Sequence, residues 1–207
     1  MISFTKLQIL LVSTVLTCTL STFAAPAGTG DLVVKLSATS KVDGVDDLKV
    51  EVTVTNTGTE PIALLKDPRT MLVNSGTKTF DIVSKSGDEK PVFEGKTVKF
   101  VPERMKKKED FWLKIPGQKS IKVEHTFSVY DFTKSGEGLY KITPSSTALD
   151  FNEVDTKTFD LKKVKGTLDT KTPYVEVNLQ GDLVSESSQS QRSSSQGSSQ
   201  AVKKRTA

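Results

Sequence analysis

Alternation with a period of two residues is the feature that most limits what this chain can become. In Leu48-Lys49-Val50-Glu51-Val52-Thr53-Val54-Thr55 the apolar Leu48, Val50, Val52 and Val54 fall on one side. That is the pattern of a strand with one buried face. Shorter versions recur at residues 32–36, 62–65, 80–83, 92–93, 97–101, 111–115, 121–127, 139–142, 158–161 and 175–179. Turn-forming groups stand between them: Asp43-Gly44, Asn56-Thr57-Gly58, Asp67-Pro68, Ser86-Gly87-Asp88, Pro116-Gly117 and Ser135-Gly136-Glu137-Gly138. No stretch of about twelve residues carries a helical apolar face. The expected fold is all-β, an immunoglobulin-like antiparallel β-sandwich. A closed barrel would show the same local pattern.

Two details favour the sandwich. Pro116-Gly117-Gln118 reads as a tight turn into the alternating Ile121-Lys122-Val123-Glu124-His125. Tyr140 follows the turn at Gly136-Glu137-Gly138, where a corner tyrosine can bond back to upstream backbone. A half-buried strand tyrosine without that bond fits the same spacing.

The ends differ from the middle. Residues 1–24 have the form of a signal peptide, with Lys6 ahead of an apolar run from Leu7 to Leu20 and a small residue at Ala24. Cleavage is expected after Ala24; a cut after Ala25 would leave Pro26 directly behind it. The run is shorter and more interrupted than the roughly 20 apolar residues of a stable membrane span. Cys18, the only cysteine, lies inside it, so the mature domain at residues 25–181 is expected to rely on a hydrophobic core rather than disulfides. Residues 182–207 form a Ser/Gln-rich tail that lacks the apolar surface to repay ordering, and it is expected to be a disordered tether. Near its end stands Lys203-Lys204-Arg205, which is expected to be a basic processing site of the secretory pathway. The protein is therefore expected to be secreted and extracellular.

Composition and motifs exclude more than they suggest. The net charge of +4 comes from lysines interleaved with acids, without the clustered basic footprint that nucleic acid requires. Arg104-Met105-Lys106-Lys107-Lys108 is a basic run, and Glu109-Asp110 follow at once. A catalytic zinc needs about three protein ligands, yet His125 is the only histidine. His125 shares a strand face with Ile121, Val123 and Phe127, which reads as a structural position rather than a metal ligand. No Gly-x-Ser-x-Gly elbow, phosphate-cradling glycine loop or calcium loop is present. Asp46-Asp47, Glu109-Asp110 and the acids at Glu153 and Asp155 read as loop charges. No catalytic residue, metal or cofactor is expected.

Four segments together resemble the N-terminal propeptide of fungal secreted zinc endopeptidases of the deuterolysin (aspzincin) family, of the peptidyl-Lys type. They are Leu32-Val33-Val34-Lys35-Leu36 through Val54-Thr55-Asn56-Thr57-Gly58; Leu64-Leu65-Lys66-Asp67-Pro68-Arg69; Phe93-Glu94-Gly95 through Phe100-Val101-Pro102; and Pro116-Gly117-Gln118 through Gly138-Leu139-Tyr140. In the family such a propeptide precedes a basic processing site and a zinc domain with HExxH, and none of those zinc residues has a counterpart here. The resemblance implies a non-catalytic, propeptide-like domain that aids the folding of a deuterolysin-type catalytic domain or inhibits it. The chain would then be a stand-alone relative or a truncated gene product. Arg104, Lys106, Lys107 and Lys108 are the candidate contact, because the proteases favour lysine. The alternatives are an extracellular carbohydrate- or cell-wall-binding module, for which Phe111, Trp112 and Tyr130 would have to share an exposed face, and a relic without activity.

Overall fold

The segment with the cleanest alternation forms the strand around which the rest is built. The computed structural model describes residues 31–85 and 89–183, and in it Val50, Val52 and Val54 are fully buried. The segment ending at Ala24 and the tail with Lys203, Lys204 and Arg205 lie outside the described residues. The strands run Leu32–Ala38 (β1), Lys41–Gly44 (β2), Lys49–Asn56 (β3), Ile62–Leu65 (β4), Phe80–Ser84 (β5), Val92–Phe93 (β6) and Trp112–Ile115 (β7). They continue with Ser120–Thr126 (β8), Tyr130–Asp131 (β9), Gly138–Pro144 (β10), Asp150–Val154 (β11), Leu161–Lys165 (β12), Thr167–Leu168 (β13) and Val175–Asp182 (β14). One helical turn, Pro102–Met105 (α1), stands before β7. The fold is all-β, as expected.

Three four-stranded sheets hold most of these strands, in the orders β13-β1-β3-β8, β2-β14-β10-β5 and β12-β11-β4-β7. Pairing is antiparallel except at two edges, where β13 runs parallel to β1 and β2 parallel to β14. Register matches apolar to apolar: Val34 faces Val54 and Leu36 faces Val52, while Tyr140 faces Val177 and Ile142 faces Val175. The inner faces of the first two sheets meet in one core, with Leu36 and Val52 from one side and Phe80, Tyr140 and Val177 from the other. The Phe80 ring crosses the gap and lies 5.2 Å from His125 and 5.3 Å from Phe127. Each such side chain contributes about 1.5–3 kcal/mol by leaving water.

The third sheet continues the first past a bend. β3 pairs with β8 and β4 pairs with β7, so one long antiparallel pair is interrupted at Asn56 and Pro116. Asn56, 1% exposed, satisfies the broken ladder. Its Nδ2 donates to the carbonyls of Glu60 at 2.8 Å and Ile115 at 3.3 Å, and its Oδ1 accepts from Gly58 N at 3.0 Å. Gly117 is required there, since a Cβ would collide with the Thr59 carbonyl, and Gln118 turns the chain with φ 57°. The corner expected at Tyr140 is present. Its buried hydroxyl donates to the Gly136 carbonyl and bonds Ser135 Oγ at 3.0 Å.

Three local expectations fail for physical reasons. Residues 97–101 alternate in burial but find no ladder partner, and Phe100 instead packs near Arg69. Residues 158–160 are not strand: 156–158 form the turn before β12, where Asp155 accepts from the amides of Lys157 and Thr158. Those bonds, Thr158 first, hold the Asp155 carboxyl below its ordinary pKa. Glu153 is a strand residue, opposite Leu64 and Lys162, rather than a loop charge. Asp46-Asp47 and Glu109-Asp110 do lie in short helical turns between strands.

Candidate functional site

The third sheet carries a cleft of about 640 Å³, and its wall begins where β4 ends. Asp67 leaves that strand with a side chain only 2% exposed. Burying a carboxylate is costly without partners, and Arg69 supplies them. Arg69 Nε donates to Oδ1 at 2.9 Å and Nη2 to Oδ2 at 2.6 Å, while the Arg69 backbone N reaches Oδ1 at 3.0 Å. Two parallel N–H···O bonds fix the guanidinium plane. The bond from Asp67 also raises the Arg69 pKa above its ordinary value. The turn is held from behind, because the Pro68 carbonyl accepts from the hydroxyls of Ser75 and Thr77. Phe100 lies against the guanidinium, 5.7 Å from Cζ to the ring centroid.

Across the cleft stand two cross-strand pairs of β11 and β12, Asp150 with Lys165 and Asn152 with Lys163. Phe151 and Val164 also line it and join the core behind it. Neither Lys163 nor Lys165 makes an ion pair among the described residues. The cleft thus mixes charges: Arg69 with Asp67 on one wall, and Lys163 and Lys165 with Asp150 on the other.

The expected basic contact adjoins this cleft, since Phe100 and Pro102 line it and α1 begins at Pro102. The four cations are not equivalent. Lys106 Nζ pairs with Glu103 at 2.7 Å and its carbonyl accepts from Trp112 Nε1 at 3.1 Å. Lys108 Nζ sits 5.9 Å from the Phe111 ring. Arg104, Lys107 and Lys108 are exposed on the turn made by α1 and the residues after it.

The aromatic face needed for a carbohydrate platform is not assembled. Phe111 is exposed, but Trp112 packs with Leu65 and Val154 in a small second core. Tyr130 is buried, donates to the Phe80 carbonyl at 2.8 Å, and has its phenol pKa pushed up by that burial. His125 is 3% exposed, with Nε2 at 3.0 Å from the Met71 carbonyl and its ring edge-on to Phe80. Burial lowers its pKa, against the opposing effect of the Met71 carbonyl. Among the described residues no group of three or more His, Cys, Asp or Glu is placed to hold a metal ion. No helix among them is long and apolar enough to cross a membrane.

What the geometry defines is an all-β domain with a charged cleft and a structural histidine. By sequence the chain is 41% identical over 150 residues to a peptidyl-Lys metalloendopeptidase of Grifola frondosa, across 70% of this chain and 42% of that protein. It is 36% identical over 165 residues to a peptidyl-Lys metalloendopeptidase of Armillaria mellea, across 77% of this chain and 45% of that protein. No family model matches. The chain is thus a relative of fungal peptidyl-Lys metalloendopeptidases, as the resemblance implied, and spans less than half the length of the two it matches.

The site was only partly visible in the sequence. Asp67, Arg69 and Phe100 stood within the segments of resemblance without an assigned role, and Lys163 and Lys165 carried no signal. Their meeting depends on the pairing of β11 with β4, which local pattern does not encode.

Proposed function

We propose that the chain is a secreted, non-catalytic, propeptide-like domain that assists folding of a peptidyl-Lys metalloendopeptidase or inhibits it. The observation that carries this reading is a pairing. The similarity covers less than half of each protease, and the matching chain folds as a β-sandwich whose single histidine is committed to the core. A histidine bound to the Met71 carbonyl and packed on Phe80 serves the fold. A zinc hydrolase would need it, with further ligands, at an open site. A folded domain that binds only the native enzyme stabilises it by mass action. On this reading Ala24 is the last residue of the signal peptide and Lys203, Lys204 and Arg205 form the processing site.

The relatives are named for peptidyl-Lys. In the inhibitory mode, Arg104, Lys107 and Lys108 are the cations this turn presents, with Lys106 tied to Glu103 and Trp112 beneath them. The test titrates purified residues 25–205 against a peptidyl-Lys metalloendopeptidase while following the mass of the added chain. In parallel, the denatured protease is refolded with and without it. The expected result is dose-dependent inhibition with the chain intact, or a higher recovered activity on refolding. Rapid digestion of the chain with neither effect overturns the reading.

A further inference from the structure

The longest interval between strands among the described residues, 94–111, also carries their longest unbroken run of exposed side chains, from Lys107 to Phe111. Charged residues fill most of that run, and charged side chains stay in water unless paired. The single turn α1 ahead of it buries no residue, and a lone helical turn is marginal by itself. The segment is tied at Lys106, whose carbonyl accepts from Trp112 Nε1 at 3.1 Å and whose Nζ pairs with Glu103 at 2.7 Å. Beyond it the backbone makes turn bonds rather than a ladder: Lys108 N to the Met105 carbonyl at 2.9 Å and Phe111 N to the Lys108 carbonyl at 3.0 Å. The next longest exposed run, from Asp155 to Thr158, is pinned more tightly. There the Asp155 carboxylate accepts from the amides of Lys157 and Thr158 at 2.7 and 3.0 Å, and the Asp155 backbone bonds both Phe159 and Asp160. Opening the chain locally for a protease therefore costs less at Lys107 and Lys108 than at Lys157.

We propose that a lysine-specific endopeptidase makes its first cut in the folded domain at the peptide bonds of Lys107 and Lys108, so that any hold on a protease through this turn is temporary. The choice of protease rests on the proposed function; the place of the cut rests on the fold. Hydrolysis breaks one C–N bond, with one water giving a hydroxyl to the carbonyl carbon and a hydrogen to the nitrogen. The cut falls between β6 and β7, and no four-stranded sheet belongs to one side of it. β1 and β3 pair with β13 and β8, β2 and β5 pair with β14 and β10, and β4 lies between β11 and β7. The two halves therefore stay docked after the cut. They lose the covalent tether that sets the effective concentration at which they meet. Release then follows from the next unfolding event rather than from the cut itself. Exposed lysines also serve solubility, a role that favours no particular bond.

The test follows, by intact mass, residues 25–205 incubated with a small proportion of a peptidyl-Lys metalloendopeptidase, scoring cuts within residues 31–183. The first product is expected to carry a single cut beside Lys107 or Lys108, its fragments co-eluting in gel filtration and separating in denaturant. Lys107→Gln/Lys108→Gln is expected to slow that step at least about tenfold, a charged contact to the recognised side chain being lost. Lys157→Gln is expected to leave it unchanged. Inhibition is expected early, while the chain is intact, and is expected to decay after the cut. A first cut beside any other lysine, or an unchanged rate for the double variant, overturns the proposal. Inhibition that ends without this cut also overturns it and leaves the proposed function standing. The cut without inhibition or improved refolding supports the place of the cut and removes the proposed function.

Discussion

The core between the first two sheets and the cleft on the third are built from opposite materials. In the first, Phe80, Phe127, Phe132 and Tyr140 are almost entirely withdrawn from water, and their rings contact one another at centroid distances of 5.1–6.5 Å, with Tyr130 completing the chain. The polar groups inside it, His125 and the Tyr130 and Tyr140 hydroxyls, each have a carbonyl partner. In the second, a small core of Leu65, Trp112 and Val154 adjoins a surface with three cations and two carboxylates around an open volume. One region spends its residues on stability. The other also holds Lys163 and Lys165, exposed cations that make no ion pair among the described residues and so contribute little to folding.

Substitutions should separate the two regions by size of effect. Phe80→Ala opens a cavity where both sheets meet and is expected to cost about 3–5 kcal/mol in denaturant unfolding. Asn56→Ala leaves the bend with unpaired carbonyls and an unpaired Gly58 amide, and is expected to cost about 2–3 kcal/mol. Both effects belong to the core and the bend that ties it to the third sheet.

A pH titration gives a smaller effect. Folding lowers the His125 pKa from its ordinary 6.5. The folded state therefore takes up its proton less readily than the unfolded chain. Stability from this group is complete above about pH 6.5 and declines as pH falls below that value, through the depressed folded pKa. Unfolding of the wild type and His125→Gln between pH 4.5 and 8 should show a steeper acid-side loss for the wild type. Parallel curves would mean that His125 is not buried as described. At the bottom of the scale, Lys163→Gln/Lys165→Gln is expected to change stability by no more than about 0.5 kcal/mol. A larger loss would erase the contrast between the regions.

Much of the core was legible because strand periodicity records which side is buried. Val50, Val52 and Val54 alternate, and the structure buries all three. Tyr140 was legible because the bond it needs lies four residues upstream. Asp150-Phe151-Asn152-Glu153-Val154 gave no alternating signal, since Phe151 and Val154 are buried three residues apart on a strand that serves both cores. Residues 97–101 gave a false one, because alternation reports burial and not hydrogen-bond pairing. The cleft was invisible for a third reason. Arg69 and Lys163 lie far apart in sequence, and only sheet order brings them to one volume.

The most direct measurement of the functional account is equilibrium binding between residues 25–205 and a purified peptidyl-Lys metalloendopeptidase whose metal has been removed, so that digestion cannot obscure it. The account predicts saturable one-to-one binding by the folded wild-type chain, lost when the chain is unfolded by denaturant before mixing. Absence of binding by the folded wild-type chain at concentrations where the protease is itself native would contradict it.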